Sequence, residues 1–248
     1  MMKRFHAITL LLVLSFLLVG CADLAESSLS NKTQEDTGKY FYLTEESAEN
    51  LISIQVPIVT TANVQAVNAC IKEQVYKELQ HWLLLEKCNL KESATPIARI
   101  SERIDPSEYS AQYLHISSRL SFESEELISL VFTGMQNVKS AAHPNEIFFS
   151  INVDVQSAER VSIADIYSLD DSLYTFFLQY VNSERISRDE LISLNVFEKN
   201  IFWEGLAQEP EKGVYSYLTP THVGISYPVT YALGNHIEAE IPKGIVGG

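Results

Sequence analysis

The chain has 248 residues, with 18 Lys and Arg against 32 Asp and Glu, a formal charge of −14. That balance excludes a nucleic-acid binder, because neutralising phosphates takes clustered Lys and Arg. With 46% hydrophobic and 10% aromatic residues, the chain has enough apolar mass for a core and is no disordered acidic tail.

The first element is an address. Lys3 and Arg4 precede a largely apolar run from Ala7 to Val19 with no acidic residue in it, the layout of a secretory signal and too short for a membrane span of about 20 residues. Leu18-Val19-Gly20-Cys21 resembles the bacterial lipobox, which makes residues 1–20 a lipoprotein signal peptide and Cys21 the lipidated residue. Two acyl chains on Cys21 give stable membrane anchoring. Residues 21–38 are rich in Ser, Asp, Glu, Asn and Thr and read as a flexible tether. The expected location is the cell envelope, extracytoplasmic and lipid-anchored to a bacterial membrane, with the palmitate-type anchor as the membrane contact.

Residues 39–248 form the folded part, either as one domain or as two subdomains with a break near 90–105. Ile52, Ile54 and Val56 alternate with Ser53 and Gln55, the signature of a half-buried strand that Pro57 closes. From Thr61 the period lengthens: Val64, Val67, Ile71, Val75, Leu79, Trp82 and Leu83 mark an amphipathic helix of about 25 residues. A continuous helix from Cys70 to Cys88 would hold their Cα atoms about 27 Å apart, beyond the roughly 7 Å that a disulfide spans. Two unbridged thiols are one reading; a bridge with the helix broken near Leu84 to Lys87 is the other.

Further along, Ala111–Phe122, Leu127–Phe132 and Ile147–Val155 read as an antiparallel meander bent at the acidic turn Glu123–Glu126. Ile163–Tyr167 opens a helical region carrying Leu173, Phe176, Phe177, Tyr180 and Val181 on one stripe. A further helix spans Arg188 to Glu204. Val214–Leu218, His222–Tyr227 and His236–Ile241 close the chain as strands. The resulting order predicts an α+β class: antiparallel sheets covered by a long amino-terminal helix and one or two later helices.

Several landmarks in this order carry a resemblance: the strand and long helix at the start, Ala141-Ala142-His143-Pro144, Ile151-Asn152-Val153-Asp154, Ser162 to Tyr167, and Tyr227, Tyr231 and Gly234. Together they resemble the RsiV-like extracytoplasmic domain shared by RsiV-type anti-sigma ectodomains and the amino-terminal region of PdaC-type deacetylases, over about residues 39–246. The resemblance implies an α+β fold, no cofactor and capture of lysozyme. A cytoplasmic sigma-binding segment, a transmembrane helix and a deacetylase domain have no counterpart here, so no sigma factor is an expected partner. Ser140 stands where the family has glycine before Ala-Ala-His, and Ser157-Ala158-Glu159 replaces a glycine turn.

Catalytic patterns are sparse. The chain has no Gly-x-Ser-x-Gly elbow, no His-Glu-x-x-His and no phosphate-cradling glycine loop, and no catalytic or metal-ligating set is read from it. His143 with Glu146 can hold a ligand or can brace its own turn. Tyr227 and Tyr231, with Tyr215 and Tyr217, form either a sugar- or protein-contact surface or sheet packing. The acidic clusters are a solvated surface or a face for a basic partner. The reading is a lipoprotein that binds an envelope or host protein, with lysozyme-type muramidase the first choice. A peptidoglycan-binding or glycan-hydrolysing protein using a carboxylate pair, and a structural lipoprotein without ligand, are the rivals.

Overall fold

The computed structural model describes residues 39–83, 85–98, 112–138, 141, 143–183, 185–207 and 213–246, and Thr37–Gly248 forms one compact unit. The signal peptide, the tether, Cys21 and residues 99–105 of the expected break lie outside the described residues. Near its start, β1 (Tyr40–Glu46) and β2 (Asn50–Pro57) pair as an antiparallel hairpin. Ser47 fixes the turn: its Oγ accepts the backbone N–H of Asn50 at 2.9 Å.

On its other side β2 meets β4 (Gln112–Glu123) in parallel register, Asn50 opposite Gln112 through Ile54 opposite Ile116. Parallel neighbours require a crossover connection, usually helical, and α1 (Val64–Trp82) lies in that crossover. Its apolar stripe, Val67, Ile71, Val75 and Leu79, is buried. The helix stops because Leu83 turns extended, donating its N–H to Leu79 O at 2.8 Å. From β4 the chain meanders through β5 (Leu127–Asn137) and β6 (Asn145–Asp154). Short strands β3 (Lys91–Ser93) and β7 (Glu159–Arg160) complete the order β3-β1-β2-β4-β5-β6-β7, a curled half-barrel.

A second sheet has the order β8 (Val181–Asn182), β11 (His236–Pro242), β10 (His222–Pro228), β9 (Tyr215–Leu218). Helices α2 (Ile163–Ile166), α3 (Asp171–Tyr180), α4 (Arg188–Ser193) and α5 (Lys199–Leu206) share a second core with it, centred on Phe177, Phe202, Val223, Ile225 and Ile241.

The expected α+β class therefore needs correction. The fold is mostly sheet, and among the described residues no long amino-terminal helix covers an antiparallel sheet. Against an expectation of about 25 residues from periodicity, α1 has 19 residues and serves as the link between two parallel strands. The helix expected over Arg188–Glu204 is two short ones, because Asn195 adopts a left-handed φ of 49° between them and Phe197 turns into the core. Hydrophobic period reports which face of an element is buried; it does not report what lies beside a strand. Cys70 in α1 is buried, Cys88 beyond it is half-buried, and both thiols are free. Burial pushes both above the ordinary thiol range, which leaves them poor nucleophiles.

Side chains join the two sheets. On β6, Phe148, Ser150 and Asn152 alternate toward β9. Ser150 Oγ and Asn152 Nδ2 both donate to Ser216 O, at 2.7 and 2.8 Å, and Leu218 N–H donates to Ser129 Oγ at 2.9 Å. These polar residues sit in otherwise apolar strands because the free edge of β9 would bury unpaired backbone groups without them. A second tie is Glu78 of α1, whose side chain is fully buried. Its Oε1 accepts from Arg160 of β7 at 3.1 Å and its Oε2 from the Tyr215 hydroxyl of β9 at 2.7 Å.

Candidate functional site

The final strand reads His236-Ile237-Glu238-Ala239-Glu240-Ile241. Strand alternation sends Ile237, Ala239 and Ile241 into the core and His236, Glu238 and Glu240 to the opposite face. That face is the wall of an open cleft of about 620 Å³, bordered also by Glu146 of β6, Tyr217 of β9, and Asn182 and Arg185. Among the described residues, three carboxylates thus share one cleft with one guanidinium.

Tyr217 reaches this wall by crossing a strand. It pairs with Gly224 of β10, and a Cβ on residue 224 would lie 2.1 Å from the Tyr217 Cζ. With only hydrogen there, the ring lies flat over β10 and its hydroxyl arrives at β11, 2.7 Å from Glu238 Oε2 and 3.3 Å from Glu240 Oε1. One phenol bridging both keeps these two carboxylates close together on the cleft wall. The Arg119 guanidinium stands 5.3 Å from the centre of the same ring. Burial first, then the neighbouring Glu238 charge, pushes the Tyr217 phenol far upward, so it remains a donor.

Glu238 is balanced the other way. Burial, the largest influence, opposes its charge, but the His236 ring, the Tyr217 hydroxyl and the Arg119 charge together outweigh it and hold the carboxyl below its ordinary value. His236 Nε2 is 3.7 Å from Glu238 Oε1. A carboxyl depressed on folding contributes stability that is complete above its unfolded pKa and is lost as pH falls through the folded one. Urea unfolding at stepped pH should therefore show Glu238→Gln with a flatter acid limb than the parent, the stability gap between the two closing as pH falls below about 4.3, the ordinary glutamate value. Coincident acid limbs would show that the network does not hold the charge.

At the rim, three of the four candidate ligand residues meet. His143 stacks face to face on Tyr231, ring centroids 3.4 Å apart and planes within 6°. Arg185 binds Glu146 at 2.8 Å and the Tyr231 carbonyl at 3.0 Å, with its guanidinium carbon 5.8 Å from the Tyr231 ring centre. Gly234 beside that arginine has a φ of 111°, a backbone conformation that residues with a side chain rarely adopt. Tyr227, the fourth, is elsewhere. It is buried among Phe177 and Phe197, and its hydroxyl accepts the Glu198 N–H at 2.9 Å.

His236, Glu238, Glu240 and Arg185 were not among the candidates from sequence, whereas Tyr217 entered only as one of a tyrosine cluster. The alternation of the last strand was visible, yet nothing in it distinguishes a polar face turned to a cleft from one turned to bulk water. Arg185 carries no local signal at all. Among the described residues, no group of three or more His, Cys, Asp or Glu is placed to hold a metal ion.

No family model and no curated protein matches the chain. Among solved structures it is similar to a DUF3298 family member from Bacteroides fragilis, at 14% identity and a TM-score of 0.45, covering 86% of this chain and 95% of that one. It is also similar to a DUF3298 family protein from Pseudomonas aeruginosa, at 15% identity and a TM-score of 0.33, covering 83% and 90%. The structural neighbours are thus DUF3298 family proteins, distant likenesses of fold that do not establish the RsiV-like resemblance read from the sequence.

Proposed function

We propose that this protein is an extracytoplasmic lipoprotein, anchored through Cys21, whose folded unit recognises a basic envelope or host protein at the cleft between β9, β11 and the start of β6. Lysozyme-type muramidase is the first candidate partner, in keeping with the RsiV-like resemblance. The observation that carries the reading is the cleft itself: Glu146, Glu238 and Glu240 line it together, and Glu238 is held in its charged form. A lysine or arginine entering there gains charge-assisted hydrogen bonds from carboxylates already ordered by Tyr217 and His236. Around the mouth, Tyr231 is 39% exposed beside Arg185, and Tyr and Arg are the residue types that dominate interface hot spots. The overall charge of −14 adds long-range attraction for a cationic partner.

Calorimetric titration with a muramidase at low and moderate salt tests this. Saturable binding that weakens with salt is expected, with the Glu238→Gln/Glu240→Gln variant weaker by about a hundredfold, the effect of losing desolvated charge pairs. Equal affinity of the variant and the parent, or no binding at either salt level, contradicts the reading.

A further inference from the structure

A second cavity, of about 280 Å³, adjoins the cleft, and the two share Glu146 and His236 as lining residues. Strand register shows how they lie. Tyr215 of β9 stands opposite Ser226 of β10, Ser226 opposite Glu238 of β11, and Glu238 opposite Asn182 of β8. One row of residues thus crosses the whole second sheet on a single face. Tyr215 and Ser226 border the second cavity; Glu238 and Asn182 border the cleft. With strands about 4.8 Å apart, the midpoints of the two halves of that row are about 10 Å apart. His236 stands where the compartments meet, its ring centroid 4.9 Å from that of Phe148.

The two compartments differ in chemistry. In the cleft, Glu146 is engaged by Arg185 at 2.8 Å, which leaves Glu238 and Glu240 to face an incoming cation. The second cavity is bordered by Trp82, Phe148, Tyr215 and Pro228. Trp82 Nε1, Ser226 Oγ, Asn235 Nδ2 and His236 Nδ1 are buried out of a guest's reach, so none of these four groups offers it a hydrogen bond and apolar contact dominates. A cavity of about 150 Å³ already holds benzene; 280 Å³ takes one large apolar side chain. We infer that the cleft and this cavity together seat an extended segment of the cationic partner. A lysine or arginine of that segment lies against Glu238 and Glu240, and an apolar side chain three positions away lies against Trp82 and Phe148. Residues three apart in a polyproline II segment point the same way about 9 Å apart, which matches the spacing along the row. The inference rests on the reading of the cleft as a site for a basic protein, and it adds a second anchor that selects among basic partners.

The reporter is in place, since Trp82 is one of only two tryptophans and Trp203→Phe leaves its fluorescence alone. The full chain carrying that substitution is titrated with acetyl-Lys-Pro-Pro-Phe-amide and its reverse, acetyl-Phe-Pro-Pro-Lys-amide. Matching peptides carry alanine for the phenylalanine or norleucine for the lysine, and calorimetry gives each affinity. One of the two orientations is expected to bind saturably and to shift Trp82 emission. Its alanine version should bind at least about tenfold more weakly, the effect of burying one aromatic side chain, and should leave Trp82 emission unchanged. Glu238→Gln/Glu240→Gln should weaken the lysine peptide and not the norleucine one. Equal affinity for the phenylalanine and alanine peptides, no binding of either orientation, or Trp82 emission that no peptide alters overturns the inference. If the lysine peptides still lose affinity in the double variant, the reading of the cleft stands without the second anchor; if norleucine binds as well as lysine, the reading of the cleft itself fails.

Discussion

Replacing Glu78 with alanine is expected to lower the unfolding free energy by about 3–5 kcal/mol, the cost of removing one partner from a buried ion pair. The carboxylate is fully buried, and the Arg160 side chain that it binds is only 20% exposed. Its loss leaves that guanidinium and the Tyr215 hydroxyl without their shared acceptor. Burial first, then the Glu78 charge, pushes the Tyr215 phenol far above its ordinary range, so in the parent it stays a neutral donor to the carboxylate. Three elements, α1, β7 and β9, lose their common tie at one stroke. Tyr215→Phe removes only one hydrogen bond and should lose about 1 kcal/mol. Urea unfolding of both variants checks the pair; a loss for Glu78→Ala within the 0–1 kcal/mol of a surface bridge would show that the tie is not structural.

The next largest effect is expected at Gly224. In Gly224→Ala the new methyl carbon starts 2.1 Å from the Tyr217 Cζ, and the ring cannot swing outward, being 1% exposed and packed against Phe148 at 6.0 Å between centroids. Overpacking of this kind costs about 1–3 kcal/mol. The displaced phenol also leaves Glu238 and Glu240, so the variant should lose partner affinity together with stability, whereas Tyr217→Phe should keep most of the packing while losing the bridge. Thermal unfolding and calorimetric titration on the two variants separate these consequences. A Gly224→Ala protein of unchanged stability would mean that the ring is not confined against β10.

Much of the element content was legible in the chain because single-element burial leaves a period. The stripe of Val67, Ile71, Val75 and Leu79 marked α1, and the alternation from His236 to Ile241 marked β11. What stayed illegible was pairing. Nothing in Asn50–Ile54 or Gln112–Ile116 distinguishes a parallel partner from an antiparallel one, and so the crossover role of α1 and the sheet-dominated class could not be foreseen. Two-residue strands such as Glu159–Arg160 and Val181–Asn182 are too short to show any period. Nothing in Ile147–Val155 tells that Ser150 and Asn152 are buried; they are, because a second sheet docks its edge on them.

The candidate site divides along the same line. His143 and Glu146 stood out at a turn and Tyr231 as one of a tyrosine cluster, and the three meet at the rim. Tyr227 stood out as part of the same cluster and went to the core, where its hydroxyl has a backbone partner at Glu198. The cleft wall is assembled from strands far apart in sequence and rests on a glycine, Gly224, whose role is to leave space.

The central claim, recognition of a cationic protein at this cleft, is tested most directly by hydrogen exchange on the protein with and without saturating muramidase. Slowed exchange concentrated in residues 143–146 and 231–240 is the predicted footprint. Protection confined to other segments, or an exchange pattern that muramidase leaves unchanged, would contradict it.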